Sequence, residues 1–432
     1  MSRPDESKTH ASGATEPSVG HINDVDYLDR EAALKMLGIK KESLYTYASR
    51  GLIRTLSEPG KRTSLYRKSD IEKLKTRASM KSGGQRIAPS LRYGEPVVQT
   101  WVCEITEAGP RYRGHLATAL ARDGRSLEYA ADLVWGGIPP LRDLPWTETD
   151  HNGTSGAAAL THPLQPSFSA LSALAHIAVD FASMEKTKDG NAAHADARSC
   201  GIRLLNAFAG VCGQLGPRQA YQPPEQNEFI AERLLKGFGL ADHKERDKLL
   251  LVLNAALVLS VDNELSTPTF CARISASTGT DLYSCLVSAL MAQAGPMQAG
   301  GATHLEAYLQ AILSSPGGAR HNELNIPCFN HPLYTKDPRA ELLIELLADL
   351  TRTSPVRTKL LKFVERTYQS TSQYPNLFAA LVMFSMSLGL PPGSAAYLHT
   401  LSRSAGWIAH AAEQRLSGTM LRPRGRYMGN AA

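Results

Sequence analysis

From Ser167 onward the chain places apolar residues at helical spacing. Ala- and Leu-rich segments of roughly 12–20 residues are separated by Gly, Pro or Asn, as the helices of a globular protein usually are. Before this region, residues 96–105 read as strand, and a turn leads through Tyr112 and Gly114 into a helix that ends near Trp135. The chain has no βαβ pattern, no GxGxxG motif and no P-loop, which argues against those nucleotide-binding folds. The pattern predicts an all-α fold for the body of the chain.

One predicted helix start carries chemically useful side chains. Asp337 is a good N-cap and Pro338 a good first helical residue, and an apolar stripe at helical spacing follows them. His331 lies in the loop before this helix, and Arg339 lies in its first turn. An imidazole and a guanidinium near a helix N-terminus favour an anion-binding site. The same spacing also fits a loop with one histidine and an ordinary cap.

Composition limits the class of protein. The 432 residues are 43% hydrophobic and 20% charged, which is typical of a globular protein with room for two or three domains. Apolar runs of about 18 residues are absent, so we expect no membrane span. Residues 1–21 are polar, which predicts a disordered tail and not a signal peptide. Six cysteines without a CxxC pair argue against a metal site and fit reduced thiols in the cytoplasm.

The net charge of +6 is concentrated near the N-terminus. Residues 40–86 hold 13 Lys and Arg against four Asp and Glu, a net charge of +9. Short helices are predicted at 29–38 and 41–50, a hairpin with Pro and Gly follows, and a capping box at 69–72 starts a third helix. This order resembles the winged helix-turn-helix domain of the MerR group. A basic block on such a pattern predicts a module that binds duplex DNA.

In that geometry the second helix enters the major groove and the wing contacts phosphates. The residues implied to face the DNA from the second helix are Ser43, Tyr45, Thr46 and Arg50. Those implied to contact phosphates are Lys61, Arg62 and Arg67. Two other interpretations stay open: a solvated basic linker, and a degenerate head that contacts protein.

The loop and helix around His331 resemble the citrate synthases. The family pattern here is Pro-Gly-[Phe/Tyr]-Gly-His followed, a few residues on, by Asp-Pro-Arg. The chain departs from it at both glycines, which are Cys328 and Asn330, and keeps the other family positions: Pro327, Phe329, His331, Asp337, Pro338 and Arg339. The resemblance extends from about Gly94 to Gly429.

Five further segments match the family in order. They are Asp262-Asn263-Glu264, Gly295-Pro-Met-Gln298, Tyr374-Pro-Asn-Leu-Phe378, Arg403-Ser-Ala-Gly-Trp407 and Leu421-Arg422-Pro423. The resemblance implies an oxaloacetate-like ligand bound by Asn263, His331, Arg339, Arg403 and, from the other subunit of a homodimer, Arg422. It also implies that coenzyme A meets the loop backbone at Asn325, Ile326, Pro327 and Cys328.

The implied fold is the all-α citrate synthase fold, preceded in the chain by a winged helix-turn-helix domain. The head would occupy residues 22–82 and a linker 83–93. A large helical domain would comprise residues 94–296 and a small helical domain 297–392, and residues 393–432 would return to the large domain.

The proton-transfer positions depart from the family. Its catalytic positions correspond to Gln298, His331 and Phe378, of which only His331 is kept. In the family a histidine at the first position polarises the acetyl-CoA thioester, and an aspartate at the last takes the methyl proton. Glutamine can donate a neutral hydrogen bond but cannot transfer a proton, and phenylalanine can do neither.

Three hypotheses follow. The first is a cytoplasmic, citrate synthase-like homodimer that binds a di- or tricarboxylate. It would act as a ligand-responsive regulator through its DNA-binding head. It would have no permanently bound cofactor, with acetyl-CoA or another acyl-CoA as a possible co-substrate. The second is an active citrate or 2-methylcitrate synthase, an acyltransferase of the tricarboxylic acid cycle. The third is a protein-interaction scaffold. Gln298 and Phe378 together favour the first over the second.

Overall fold

The computed structural model describes residues 27–37, 41, 44–45, 48, 53, 55–57, 64–68, 71, 98–146, 169–188, 196–314, 326–350 and 354–423. The chain divides into two compact units, residues 1–98 with 426–432 and residues 99–425. The predicted tail at 1–21 and the predicted linker at 83–93 lie outside the described residues.

The first unit contains a small antiparallel sheet and a helix. Its elements are β1 (Tyr27–Leu28), α1 (Arg30–Leu37), β2 (Thr55–Ser57) and β3 (Ser64–Arg67). Strand β3 is central, with Tyr27 opposite Arg67 on one side and Leu56 opposite Leu65 on the other. The predicted cap of α1 is confirmed, because the Asp29 carboxylate accepts a hydrogen bond from the Ala32 amide at 2.7 Å. A small core joins these elements: Ala33, Leu44, Ile53, Tyr66 and Ile71.

The body opens with a three-stranded antiparallel sheet where the sequence predicted a strand and a turn. Its strands are β4 (Cys103–Thr106), β5 (Gly109–Tyr112) and β6 (His115–Leu116), in that order. The single helix predicted to end near Trp135 is two helices, α2 (Ala117–Arg122) and α3 (Leu127–Gly136). The break has a local cause: Gly124 has a φ of 69°, and Ser126 caps α3 by accepting from the Tyr129 amide at 3.0 Å.

The remaining named elements of the described body are helices. They are α4 (Ala170–Lys188), α5 (Ala197–Ala209), α6 (Cys212–Leu215), α7 (Ile230–Gly237), α8 (Arg246–Ser260), α9 (Thr267–Ser277), α10 (Leu282–Gln293), α11 (Ala299–Ser314), α12 (Pro338–Leu350), α13 (Pro355–Thr371), α14 (Leu377–Ser387) and α15 (Ser394–Ser417). The predicted helical body is therefore confirmed as mostly helical. In the described part of the chain, none of the helices is both long and apolar enough to cross a membrane.

Helix α15 is deeply buried along most of its length, and a glycine lets it pack closely. All of its residues from Ser394 to Ala411 are buried. At Gly406 an added Cβ would lie 2.1 Å from Asp262 Oδ2 and 2.4 Å from the Val261 carbonyl oxygen. A larger residue would push the helix away from the turn that follows α8. This contact places α15 directly against Asp262.

Candidate functional site

The loop that carries His331 is held against the start of α14. Phe329 forms a β-bridge with Pro375. The Asn330 amide donates to the Tyr374 carbonyl at 3.0 Å, and the Asn376 amide donates to the Cys328 carbonyl at 2.9 Å. These backbone contacts bring two of the predicted motifs together.

Two residues of this loop have backbone angles that suit glycine. Cys328 has a φ of 60° and Asn330 a φ of 114°. These are the two positions at which the chain departs from the Pro-Gly-[Phe/Tyr]-Gly-His pattern. The loop therefore keeps a glycine-like backbone without its glycines, at a cost of order 1–3 kcal/mol for each strained residue.

A buried ion pair organises the start of α12. The Asp337 carboxylate accepts from Arg339 Nε at 3.0 Å and from Arg339 Nη2 at 2.9 Å. It also accepts from the Arg339 amide, as the predicted N-cap, and from the Leu377 amide of α14, both at 3.1 Å. Burial alone would raise the pKa of Asp337, but the charge and hydrogen bonds of Arg339 lower it below its usual value. Arg339 is therefore not an unpaired cation.

His331 is a neutral ring with one nitrogen directed towards Arg339. Its Nδ1 accepts from the Leu333 amide at 3.1 Å, and its Nε2 lies 3.4 Å from Arg339 Nη2. Burial, reinforced by the charge of Arg339, lowers the pKa of His331 to about 4. Since Nδ1 accepts a backbone N–H, the proton of the neutral ring lies on Nε2. Two N–H donors thus face each other, and an acceptor oxygen held between them would bond to both.

Arg403 is a second buried cation. It is 3% exposed on α15, and its Nε donates to the Ser260 carbonyl at 2.8 Å. Its Nη2 lies 3.4 Å from His399 Nε2. Within the described part of the chain, Arg403 donates to no carboxylate. Burial lowers its pKa, the charge of Arg339 lowers it further, and the nearby charge of Asp262 opposes both effects.

A second polar network supports the turn before Asn263. The Asp262 carboxylate accepts from the Glu264 amide at 2.7 Å and lies 3.3 Å from His410 Nε2. The other nitrogen of His410 accepts from Arg273 Nη1 at 3.1 Å. Burial would raise the pKa of Asp262, but His410 and Arg403 lower it. The side-chain oxygen of Asn263 is buried, and no hydrogen-bond partner for it lies among the described residues.

The two residues predicted to replace catalytic groups of the family lie at helix starts. Gln298 is half-buried in the turn before α11, where its amide donates to the Gly295 carbonyl at 3.0 Å. Phe378 is half-buried in the first turn of α14, and its ring centroid lies 4.0 Å from that of His399. Sequence reasoning missed His399, although it stands one helical turn before Arg403 and so shares a helix face with it.

The other residues predicted to bind carboxylate or coenzyme A are Arg422 and the loop at residues 325–328. Arg422 is exposed beyond the end of α15. In the predicted coenzyme A loop, Ile326 is buried, Pro327 and Cys328 are half-buried, and Asn325 lies outside the described residues. Burial raises the pKa of Cys328 to about 12, so this thiol is not an activated nucleophile. The described residues contain no group of three or more His, Cys, Asp or Glu that could hold a metal ion.

Of the predicted DNA-contacting residues, two are described. Tyr45 is helical and 45% exposed, and Arg67 is half-buried at the end of β3. The others lie outside the described residues: Ser43, Thr46, Arg50, Lys61 and Arg62.

Comparison with known proteins identifies the class to which this fold and site belong. The family model for the citrate synthase C-terminal domain matches residues 92–424. The chain therefore belongs to the citrate synthase family.

Individual relatives agree with this assignment. The chain is 32% identical to the citrate synthase of Saccharolobus solfataricus over 227 residues, an alignment that covers 48% of the chain and 58% of that relative. It is 25% identical to the citrate synthase of a Synechocystis species over 78% of the chain and 90% of the relative. It is also 25% identical to the 2-methylcitrate synthase of Shewanella oneidensis, over 75% and 90%.

Solved structures share the fold. The citrate synthase of Thermoplasma acidophilum, in a ternary complex with carboxymethyl coenzyme A and oxaloacetate, superposes with a TM-score of 0.66 at 22% identity. The match covers 81% of this chain and 98% of that one. The citrate synthase of Thermotoga maritima gives a TM-score of 0.59 at 22% identity, over 80% and 96%.

The Asp337–Arg339 pair leads to a stability prediction. We expect Asp337→Asn to lower the free energy of unfolding by about 3 kcal/mol at pH 7, because it leaves a buried guanidinium without its carboxylate. The native pKa of Asp337 lies below its usual value, so its contribution is present above about pH 4 and is lost as the pH falls through the native pKa. Urea unfolding of both chains at several pH values measures this difference.

The exposed Asp242 provides the control. Asp242→Asn should change the free energy of unfolding by less than about 0.5 kcal/mol at every pH. An Asp337→Asn chain as stable as the wild type at pH 7 would contradict the role given to this ion pair.

Proposed function

We propose that the body binds a di- or tricarboxylate between His331, Arg339 and Arg403. The observation that carries this proposal is Arg403, a buried guanidinium that donates to no carboxylate among the described residues. Buried charges are normally paired, and a ligand carboxylate can pair with a guanidinium through two parallel hydrogen bonds. The two facing donors of His331 and Arg339 supply a place for a further oxygen of the ligand.

Binding is proposed to be retained without efficient condensation. Removing a methyl proton from a thioester needs a placed base and a group that stabilises the enol oxygen. Phe378 offers no lone pair, and Gln298 offers only a neutral hydrogen bond. We propose an acyl-CoA as a possible co-substrate, consistent with the carboxymethyl coenzyme A named in the Thermoplasma structure. No permanently bound cofactor is part of the proposal.

The second candidate is an active citrate or 2-methylcitrate synthase, an acyltransferase of the tricarboxylic acid cycle. The names of the relatives support it, since they are citrate synthases and a 2-methylcitrate synthase. Turnover by the purified chain distinguishes this candidate from the first. A scaffold without either activity is distinguished by the absence of carboxylate binding.

We propose that the chain forms a cytoplasmic homodimer. Its regulatory part would be the head at residues 22–82, which binds duplex DNA. Its support is the net charge of +9 over residues 40–86 and the order of helices and hairpin in the sequence. In the proposed architecture, a linker at 83–93 precedes a large domain at 94–296. A small domain at 297–392 and a return segment at 393–432 follow.

Binding and turnover should separate in the purified chain. We expect citrate or oxaloacetate to bind in calorimetry and to raise the melting temperature. A ligand at 100 times its dissociation constant should raise the free energy of unfolding by about 2.7 kcal/mol. Thiol release from acetyl-CoA with oxaloacetate should stay near background. Gln298→His with Phe378→Asp should raise any residual rate more than either change alone, because both groups act in one step.

Arg403→Gln tests the binding half of this prediction. It should weaken carboxylate binding by about 100-fold or more, since it removes one partner of a buried charge pair. Arg366→Gln is the control, because it removes an equal positive charge from the exposed face of α13. It should leave carboxylate binding unchanged. Thiol release at roughly 1 per second or faster would replace the regulatory proposal with the synthase candidate.

Subunit mixing should reveal whether Arg422 completes the site of the partner subunit. We expect Arg422→Gln and Arg403→Gln chains each to lose carboxylate binding as homodimers. When they are unfolded together and refolded, random pairing should restore about a quarter of the sites, because a mixed dimer holds one intact site. A stable monomer in sedimentation at micromolar concentration, or no recovery on mixing, would exclude a shared site.

Removal of positive charge from the head should weaken DNA binding. We expect replacement of Lys61, Arg62 and Arg67 by glutamine to reduce the slope of log affinity against log salt by about 0.9 for each phosphate that the head no longer neutralises. The matched control replaces Lys359, Lys362 and Arg366 of α13 by glutamine, which removes an equal exposed charge from the body. If both triple variants bind genomic DNA fragments with the same affinity and salt slope, the head has another role.

A further inference from the structure

One face of α15 contacts the end of α8 and the turn that follows it at three points. Arg403 donates from Nε to the Ser260 carbonyl at 2.8 Å. Gly406 packs directly against Asp262, where an added Cβ would clash with the carboxylate. His410 is fully buried, and its Nε2 lies 3.3 Å from the same carboxylate. The three α15 residues are three and four positions apart, so they share one face of the helix.

The hydrogen bonds of His410 fix the position of its proton. Arg273 Nη1 lies 3.1 Å from His410 Nδ1, and because an arginine only donates, Nδ1 is the acceptor. The proton of the neutral ring therefore lies on Nε2, which donates it to the Asp262 carboxylate. A ring protonated on both nitrogens would set the N–H of Nδ1 against an N–H of Arg273. His410 is therefore a neutral donor to Asp262.

Arg273 holds His410 from α9, a different helix. It is 2% exposed, and its Nη1 also donates to Glu413 at 2.6 Å. Its Nε donates to Gln414 at 3.0 Å, and its Nη2 donates to the Gln99 carbonyl at 3.3 Å. Because every nitrogen of this guanidinium has a partner, its position is well defined. Arg273 thereby sets which nitrogen of His410 carries the proton.

Asp262 connects His410 to the backbone of the turn. Its carboxylate accepts from the Glu264 amide at 2.7 Å, two residues further along the chain. This bond closes the turn, in which Glu264 has a φ of 57°. At the other end of the turn lies Ser260, whose carbonyl accepts from Arg403 Nε. With Nε held in this way, the planar guanidinium presents its two Nη groups in a defined direction.

We propose that His410 is a positioning residue of the carboxylate site. Its Nε2–H holds Asp262, and the turn thereby holds Arg403 in the orientation that receives a ligand carboxylate. This inference rests on the proposed carboxylate site and names a residue on which that site depends. His410 itself does not contact the ligand, because Asp262 and Arg273 occupy both of its nitrogens. Its effect on affinity comes through orientation, since paired guanidinium–carboxylate hydrogen bonds require a well-placed fork.

Two amide variants of His410 differ by one methylene and separate its two hydrogen bonds. In His410→Gln the amide oxygen and nitrogen are spaced much as the ring nitrogens are, so the side chain can accept from Arg273 and donate to Asp262. In His410→Asn the shorter side chain reaches Arg273 but not Asp262. We expect His410→Asn to weaken citrate binding about tenfold or more, and His410→Gln to stay within about threefold of the wild type. Calorimetry with citrate on the full-length chain measures both affinities, and its stoichiometry reports the folded fraction.

Hydrogen exchange provides a second readout that needs no ligand. The Glu264 amide donates to Asp262, so it should exchange faster in His410→Asn than in the wild type. In His410→Gln it should exchange at the wild-type rate. The exposed His304 of α11 supplies the matched control. His304→Asn and His304→Gln should leave both the citrate affinity and the exchange of the Glu264 amide unchanged.

The outcomes separate this inference from the proposal on which it rests. If His410→Asn loses stability but its folded fraction binds citrate as tightly as the wild type, His410 is purely structural and the positioning role is overturned while the carboxylate site stands. Equal loss of affinity in both His410 variants would also contradict the inference, because glutamine keeps both hydrogen bonds. A wild-type chain that binds no citrate would overturn the carboxylate site and, with it, a role for His410 in binding. Exchange of the Glu264 amide would still show whether His410 holds the turn.

Discussion

The site depends on one buried carboxylate, that of Asp337. It ends the loop of His331, caps α12, grips Arg339 through two parallel hydrogen bonds and accepts from the first amide of α14. Each ion alone would be expensive to bury, and the bidentate geometry with its added backbone donors offsets that cost. Because α12 and α14 share this single acceptor, the positions of Arg339 and Phe378 are coupled through it.

Burial beside these charges explains why the histidines of the site are neutral. Burial lowers the pKa of His331 and of His399, and the charge of an arginine whose nitrogen lies 3.4 Å from each ring lowers it further. A neutral imidazole can adapt as donor or acceptor, whereas an arginine only donates. The hydrogen-bonding role of His331 is therefore set by its other partner, the Leu333 amide, which can only donate. A carboxylate entering this region would oppose the arginine charges and raise both pKa values.

Local features of the fold could be predicted from the sequence, and contacts between distant segments could not. The caps at Asp29 and Asp337 are properties of a few neighbouring residues, and both are observed. The pairing of Asp337 with Arg339 is also local but was not anticipated, because it depends on the rotamer that burial imposes. The contact between Phe378 and His399 joins α14 to α15, and no periodicity within either helix predicts it. The same limit applies to Cys328 and Asn330: a glycine-like φ is not visible in a residue that is not glycine.

A phenylalanine at position 378, where the resemblance to the family implies an acid, has opposite effects on chemistry and on stability. A carboxylate in the first turn of α14 would be favoured by the helix dipole and by the charge of Arg403, but its partial burial against α15 would carry a desolvation cost. Phenylalanine avoids that cost and adds a ring contact with His399. It also removes the lone pairs that proton abstraction requires. Position 378 can therefore favour packing without disturbing Asp337, Arg339 or Arg403, since none of these three depends on the side chain of residue 378 for its hydrogen bonds. This independence is the physical reason that the proposed ligand binding would persist in this chain without an acid at position 378.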